Sequence, residues 1–176
     1  GSLDGNWLLV TNSKDLNAAL THIKPDYIFF PHWSEIVPSR ITKKFDCVCF
    51  HMTDLPYGRG GSPLQNLIAR RFRKTMLTSL KMEDELDAGP IYRKDELQLD
   101  GSAEEIFEEM SYLAIEQIKY IIKHKPIPVP QETTTTENFK RRSPSDSRII
   151  GIEDLEGVYD HIRMLDAPGY PKAFLE

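Results

Sequence analysis

The sequence contains little of what marks several large classes of protein. Only 2 of its 176 residues are cysteine, too few for a small scaffold held by disulfides. No stretch approaches the roughly 20 apolar residues of a membrane-spanning helix, and no signal-peptide pattern opens the chain. Lys and Arg total 22 against 27 Asp and Glu, so the net charge of -5 gives no cationic excess for nucleic acid. These absences predict a cytoplasmic protein whose partner is neither a membrane nor a nucleic acid.

Cys47 and Cys49 lie two residues apart in a predicted strand. Two thiols at this spacing make a poor metal site without further Cys or His ligands. They also face the same way on a rigid strand, which disfavours a disulfide between them. We therefore expect reduced thiols in the protein core and no metal site.

The composition is typical of one globular domain. The chain is 40% hydrophobic and 28% charged, and its 176 residues are enough for a sizeable core. Gly1-Ser2 is typical of a cloning scar, so the predicted domain covers residues 3–176. The oligomeric state stays open, with a homodimer as one option.

The first third of the chain alternates strand and helix patterns. This βαβαβ rhythm predicts an α/β fold with a parallel sheet and right-handed crossovers. The predicted elements are strands over 7–10, 27–30 and 47–50 and helices over 15–23 and 35–43, the second helix being interrupted by Pro38.

The later chain contains a strand pair and two stronger helix patterns. A capping box at Ser102 and Glu105 begins the longest predicted helix, which continues to about residue 123. The threonines at 133–136 are predicted to form a solvated or hairpin tip. The other predicted elements are a helix over 64–71, strands over 75–82 and 91–99, and an amphipathic helix through Leu155, Val158, Tyr159, Ile162 and Leu165.

Residues 50–62 connect a buried strand to a helix through a loop with three glycines. Glycine accepts positive φ and lets a ligand approach the backbone closely. Ser62 is a favoured helix N-cap, so free helix amides should follow it. Ligands of open α/β sheets bind at the carboxyl ends of strands, where His51 lies. We therefore interpret His51 as the candidate catalytic residue.

Three motifs together resemble one known family more specifically than any of them does alone. They are residues 51–65, the turn Leu86-Asp87-Ala88-Gly89-Pro90-Ile91, and a tail with Arg141-Arg142-Ser143-Pro144, Ile162-Arg163-Met164-Leu165 and Tyr170-Pro171-Lys172-Ala173-Phe174. Over residues 26–174 the chain resembles the folate-dependent formyltransferases, which include methionyl-tRNA, glycinamide ribonucleotide and sugar-nucleotide N-formyltransferases.

The resemblance implies a Rossmann-like α/β fold of the formyltransferase type, with a mostly parallel sheet and flanking helices. Formyltransferases of this kind usually open with a further strand and helix before the region that corresponds to this chain. We therefore expect a domain without its first βα unit, through an N-terminally shortened chain or a region not represented in the sequence.

The resemblance also implies the catalytic residues. In the family an amine attacks the formyl carbon of 10-formyltetrahydrofolate, and the catalytic pair corresponds to His51 and Asp87. A neutral imidazole can take a proton from the amine, and a carboxylate can orient the ring. The family asparagine is replaced by Cys49, whose thiol is a weak hydrogen-bond donor. We expect His32, at the end of the neighbouring strand, to substitute for it, with Asn66 as a weaker candidate.

A folate site is implied around the Gly-rich loop and the later turn. The helix amides after the loop could also hold an anion, such as a phosphate or the folate glutamate. The predicted cofactor-binding residues are Leu55, Pro56, Arg59, Gly60, Gly61, Leu80, Leu86 and Gly89.

Each functional assignment has a structural alternative. His51 could simply bond to the loop backbone, and Asp87 could be a turn former before a glycine. His32 could pack at a strand end, and Arg59 could be an exposed loop charge. The surrounding motifs favour the functional interpretation of His51 and Asp87.

The predicted activity is transfer of a formyl group from 10-formyltetrahydrofolate to a primary amine of a small substrate. The tail motifs and the acidic composition favour a nucleotide-linked amino sugar as the acceptor. Two alternatives remain: hydrolysis of the formyl donor, and a module that binds folate or a nucleotide sugar but has lost transfer together with the asparagine.

Overall fold

The computed structural model describes residues 5–132 and 137–176. The predicted scar at Gly1-Ser2 and the predicted tip at 133–136 lie outside the described residues. The helices are α1 (Ser13–Ala19), α2 (Ser39–Thr42), α3 (Pro63–Ala69), α4 (Ala103–His124) and α5 (Leu155–Arg163), with a 3-10 helix over Pro144–Ser147. The strands are β1 (Ile28–Phe30), β2 (Cys47–His51), β3 (Arg59–Gly60), β4 (Lys74–Lys81), β5 (Ile91–Gln98) and β6 (Asn138–Phe139).

A four-stranded sheet in the order β1-β2-β4-β5 forms the centre of the molecule. β1 pairs with β2 in parallel, and Phe30 lies opposite Cys49. β4 runs antiparallel to both β2 and β5. The α/β class and the interior position of β2 are confirmed, but the sheet is mixed rather than mostly parallel. The connection between β4 and β5 is short enough for an antiparallel pair, whereas the antiparallel pairing of β4 with β2 joins segments that are more distant in sequence.

Hydrophobic cores cover both faces of this sheet. The larger core joins α3, α4 and the segment after α5 to β4 and β5, with Leu67, Ile106 and Leu77 fully buried in it. The smaller core packs α1 and α2 against β1 and β2 through Leu16 and Ile41. No helix in the described part of the chain is long and apolar enough to cross a membrane.

The N-terminal apolar run differs from its prediction. Residues 7–10 form no strand, and Leu9 is 86% exposed. Trp7 instead packs its ring against Phe29, with ring centroids 6.4 Å apart. A strand needs a hydrogen-bonded neighbour, and apolar character alone does not supply one.

Proline shortens the second predicted helix. Pro38 is extended, with ψ of 141°, and α2 begins only at the next residue. The helix therefore starts after the proline, as the fixed φ and missing N–H of proline favour.

The longest helix, α4, forms as predicted. The Ser102 hydroxyl accepts a hydrogen bond from the Glu105 N–H, while the Glu105 carboxylate accepts one from the Ser102 N–H. Ile106, Met110 and Ile121 then line the buried face of the helix. The capping box thus marks where this helix begins, and the apolar stripe marks the face that it buries.

The last helix, α5, leaves part of its predicted apolar stripe exposed, although Leu165 just beyond it is buried in the larger core. Leu155 is 88% exposed and Tyr159 is 58% exposed, whereas Asp160 and Arg163 are buried. The burial of these charges is stabilised by pairing, because Arg163 donates to the Asp160 carboxylate at 2.7 Å and to the Leu99 carbonyl at 2.6 Å. The helix was predicted correctly, but its pattern did not indicate which face is buried.

Candidate active site

His51 ends β2, and its imidazole is buried beneath the Gly-rich loop. The Nε2 atom lies 2.8 Å from the Gly58 carbonyl oxygen. A carbonyl only accepts hydrogen bonds, so Nε2 must be the donor. In the neutral ring this leaves the lone pair on Nδ1, which is therefore the nitrogen that can take up a proton.

Asp87 faces that second nitrogen. Its Oδ2 atom lies 3.6 Å from His51 Nδ1 and accepts a hydrogen bond of 2.9 Å from the Gly60 N–H. Both side chains are nearly buried, with 8% and 11% of their surfaces exposed. An imidazolium formed by proton uptake at Nδ1 would thus be paired with a carboxylate in a weakly screened environment. The structure brings together the two residues that the family resemblance pairs.

The backbone of Asp87 is in a conformation that side chains other than glycine seldom adopt. Its φ is 54°, in the left-handed region. Asp tolerates this region better than most residues, but the surrounding contacts must still hold it there. Gly89 permits close packing two residues later, because an added Cβ would overlap the Lys81 carbonyl oxygen.

Arg59 is tied to the same turn through Gln131. The Arg59 guanidinium donates to Gln131 Oε1 at 2.7 Å and to the Glu85 carboxylate at 3.2 Å. Gln131 Nε2 in turn donates to the Asp87 and Gly89 carbonyls, both at 2.8 Å. Sequence reasoning missed Gln131, because it lies outside the motifs and no local pattern marks it.

The glycines of the loop serve contacts within the protein. Gly60 lies in β3, which pairs in parallel with β6, and an added Cβ there would overlap the Phe139 carbonyl. An added Cβ on Gly61 would overlap Arg141. We expected these glycines to let a ligand approach; the structure shows that another segment of the chain approaches them.

The apolar residues predicted to bind the cofactor differ in their access to solvent. Leu55 and Leu80 are each 1% exposed, and half-buried Pro56 follows Leu55. Leu86 is 67% exposed beside Asp87. Leu86 is therefore the most accessible of these side chains.

His32 lies elsewhere. Its ring packs edge-on against Phe107 of α4 at a centroid distance of 4.6 Å, and burial lowers its pKa. It lines a shallow depression with Ser111 and Tyr170, and no hydrogen bond among the described residues joins it to His51. The structure thus shows His32 in contact with α4, and its role as a substitute for the family asparagine stays a prediction.

Asn66 is also engaged elsewhere. Its side-chain amide donates to the carbonyls of Gly61, Ser62 and Lys140, each at 3.0 Å. These bonds fasten the start of α3 to the segment after β6. The amide is thus occupied in holding backbone and is not free to bind a developing oxyanion.

Cys49 stands on the same face of β2 as His51. Burial, together with the nearby Asp87 carboxylate, raises the pKa of its thiol well above the usual range. Burial raises the pKa of Cys47 to about 12. Both thiols are free in the structure and stay protonated at neutral pH, which fits core residues rather than nucleophiles.

A separate cavity lies outside this site. A cavity of about 580 Å³ is lined by Arg71, Arg142, Asp160 and His161 among others, and it shares no residue with the group around His51. Within residues 5–132 and 137–176, no group of three or more His, Cys, Asp or Glu side chains could hold a metal ion.

The fold and the site together define an α/β domain with a buried His–Asp pair at the carboxyl end of a central strand. A methionyl-tRNA formyltransferase from Clostridium thermocellum has the same fold, with a TM-score of 0.91 and 47% sequence identity. The match covers 95% of this chain and 74% of that one. The chain therefore belongs to the formyltransferase family.

More distant comparisons agree with this membership. The methionyl-tRNA formyltransferase of Bacillus cereus (strain B4264) is 30% identical over 169 residues, which cover 90% of this chain and 53% of that protein. The chain thus spans about half the length of such curated relatives. Residues 144–176 match the family model described as "Methionyl-tRNA formyltransferase, C-terminal domain". A sugar N-formyltransferase from Shewanella sp FDAARGOS_354 shares the fold, with a TM-score of 0.72 and 17% identity over 93% of this chain and 68% of that one.

Proposed function

We propose that this protein transfers a formyl group from 10-formyltetrahydrofolate to a primary amine. The observation that carries the proposal is the buried pair of His51 Nδ1 and Asp87 Oδ2, 3.6 Å apart beneath the Gly-rich loop. The family to which the chain belongs uses 10-formyltetrahydrofolate as its formyl donor.

The exposed side chain of Leu86, next to Asp87, suits a folate donor. Leu86 offers an exposed apolar side chain next to a buried carboxylate, which suits a planar ring with polar edges. When bound, the folate supplies an activated formyl group. Leu86 and the backbone of the turn that carries it would hold the ring close to Asp87.

The role of His51 follows from its hydrogen bonds. Forming the new carbon–nitrogen bond requires the amine to lose a proton, and Nδ1 is positioned to accept it. Asp87 stabilises the resulting imidazolium, while the bond from Nε2 to the Gly58 carbonyl fixes the ring. The proton can then pass to the departing folate nitrogen, which leaves His51 neutral again.

The acceptor is proposed as one of two amines. The net charge of -5 favours a small acceptor, and we place a nucleotide-linked amino sugar first. The similarity to proteins named methionyl-tRNA formyltransferase, at 30% and 47% identity, favours the amino group of methionyl-tRNA instead. Both acceptors present a primary amine, so the chemistry at His51 is the same for each.

Calorimetric titration of a stable 10-formyltetrahydrofolate analogue tests the donor site. We expect micromolar binding to the wild-type chain. Binding should be at least about tenfold weaker in the Asp87→Ala variant, because this substitution removes the carboxylate beside which the donor ring is proposed to lie. Asp84→Ala is the matched control, since this carboxylate is exposed and pairs with Lys43. No binding to the folded protein, or equal weakening by both substitutions, would contradict the proposed donor site.

Formyl transfer is then measured with each acceptor. Formylation of an amine that is lost in His51→Ala supports transfer and identifies the acceptor class. Formyl release at the same rate with and without an amine would indicate hydrolysis. Binding without any release would indicate a module that has lost the reaction.

A further inference from the structure

Gln131 connects the two segments that form the candidate site. Its Nε2 atom donates to the carbonyls of Asp87 and Gly89, both at 2.8 Å. Its Oε1 atom accepts from Arg59 Nη2 at 2.7 Å and from Arg59 Nε at 3.2 Å. One half-buried side chain therefore makes four hydrogen bonds, and all of them reach residues beside the His–Asp pair.

The bonds from Gln131 hold the backbone at Asp87, a residue in an unfavourable conformation. Asp87 has a φ of 54°, which is unfavourable for a residue with a side chain. Its carbonyl is held by Gln131, and its carboxylate is held by the Gly60 N–H. The orientation of the carboxylate towards His51 thus depends on contacts at both ends of the residue.

We propose that Gln131 is a positioning residue for formyl transfer, holding Asp87 in the conformation that faces His51. The part of this inference that concerns turnover rests on the proposed function. The part that concerns the position of Asp87 depends only on the hydrogen bonds in the free protein.

The side-chain amide is chemically suited to this role. It offers two N–H donors and one acceptor oxygen, which correspond to two carbonyls and one guanidinium. Glutamate has the same length and keeps the acceptor for Arg59, but it has no donor for the carbonyls of Asp87 and Gly89. A carboxylate placed against two carbonyl oxygens would repel them and release the turn.

The test compares Gln131→Glu with the wild-type chain. The first readout is the hydrogen-exchange rate of the Gly60 amide, measured by NMR, because this amide donates to the Asp87 carboxylate. We expect exchange at least about tenfold faster in Gln131→Glu, since the carboxylate is no longer held in place. Gln98→Glu is the matched control: it makes the same chemical change at an exposed glutamine, whose side chain donates to Glu96.

The second readout is steady-state kinetics with the acceptor identified above. We expect kcat to fall by about 10- to 100-fold, in the range seen when a partner that orients a functional group is removed. KM for the formyl donor should rise by no more than the roughly tenfold expected of Asp87→Ala, because the released turn also carries Leu86. In the Asp87→Asn background, Gln131→Glu should reduce kcat by no more than about twofold further, because both substitutions remove the same function.

The outcomes separate this inference from the proposed function. Unchanged Gly60 exchange in Gln131→Glu would overturn the positioning role, whatever happens to kcat. A wild-type chain without formyl transfer would overturn the proposed function, while the exchange comparison would still decide the position of Asp87. If Gln131→Glu does not fold, Gln131→Ala removes the same donors without adding a charge, and the same acceleration of Gly60 exchange is expected.

Discussion

The position of the proton on the imidazole ring of His51 decides which nitrogen can act as a base. The Gly58 carbonyl fixes the proton on Nε2, so proton uptake is directed to Nδ1, beside Asp87. A side chain that had only a structural role would need just the first of these two contacts. The second contact adds an electrostatic partner that favours the imidazolium formed when the ring acts as a general base.

The family resemblance implies an asparagine at the position of Cys49, and we expect an amide there to increase turnover. In Cys49→Asn we expect kcat for formyl transfer to rise about tenfold or more, because one oxyanion donor typically contributes 10²- to 10³-fold. Steady-state kinetics measures the change. Cys49→Ala, which adds no donor, should stay within about threefold of the wild type, and an equal rise in both variants would refute the explanation.

Gly89 is a position where a side chain has no space. In Gly89→Ala the new Cβ would overlap the Lys81 carbonyl, and backbone cannot move aside as a flexible side chain can. We expect the free energy of unfolding to fall by about 3 kcal/mol, measured by urea denaturation. Gly151→Ala is the control, because its φ is +68° but nothing lies within 4 Å of the added atom. It should lose only about 1 kcal/mol, and an equal loss at both sites would contradict the steric argument.

At the scale of elements, α4 and α5 differ in how much of their structure a local sequence pattern predicts. The residues that cap α4 are three positions apart and bond to each other, so their pattern predicts their structure. The orientation of α5 depends instead on the pair formed by Asp160 and Arg163 and on carbonyls more than 60 residues away. The apolar stripe of α5 was therefore a valid sign of a helix and a poor guide to its buried face.

The capping box of α4 should contribute measurably to stability. Ser102→Ala removes the acceptor for the Glu105 N–H, and we expect a loss of about 1 kcal/mol in the free energy of unfolding. Ser111→Ala is the matched control, since Ser111 is exposed in the middle of the same helix and its hydroxyl donates back to the Phe107 carbonyl. That change should be within about 0.5 kcal/mol of zero, because such back-bonding does not stabilise helices. Equal losses in the two variants would show that the cap has no special role.

At the scale of the whole molecule, the acidic balance bears on the acceptor. The chain carries 27 acidic and 22 basic residues. Many of the basic side chains are paired with carboxylates in the structure, including Arg59, Arg70, Arg71 and Arg73. Cations that are already paired are less available to neutralise the phosphates of a nucleic acid.

The salt dependence of formyl transfer should therefore be weak. Between 50 and 200 mM salt we expect kcat/KM for the acceptor to change by less than about threefold, because few phosphate contacts form. Activity assays with a nucleotide-linked amino sugar and with methionyl-tRNA measure this directly. A decrease of about 10³-fold over the same range would indicate a large nucleic-acid footprint and would favour methionyl-tRNA as the acceptor.

The sequence by itself determined the features that depend on neighbouring residues. The core strands β2, β4 and β5, the capping box of α4, and the loop that follows His51 are all visible as local patterns. The pairing of His51 with Asp87 came from the family resemblance, since no local pattern joins residues so far apart. Folding then places the Asp87 carboxylate against the ring.

Only the tertiary structure decided the rest. It left residues 7–10 outside any strand, made the sheet mixed, left Leu155 and Tyr159 of α5 exposed, and packed His32 against α4. It also brought Gln131 to Asp87 across 44 positions of sequence. Each of these outcomes depends on which distant segments meet, and the free energy of such contacts is set by burial and hydrogen bonding that no short stretch of sequence contains.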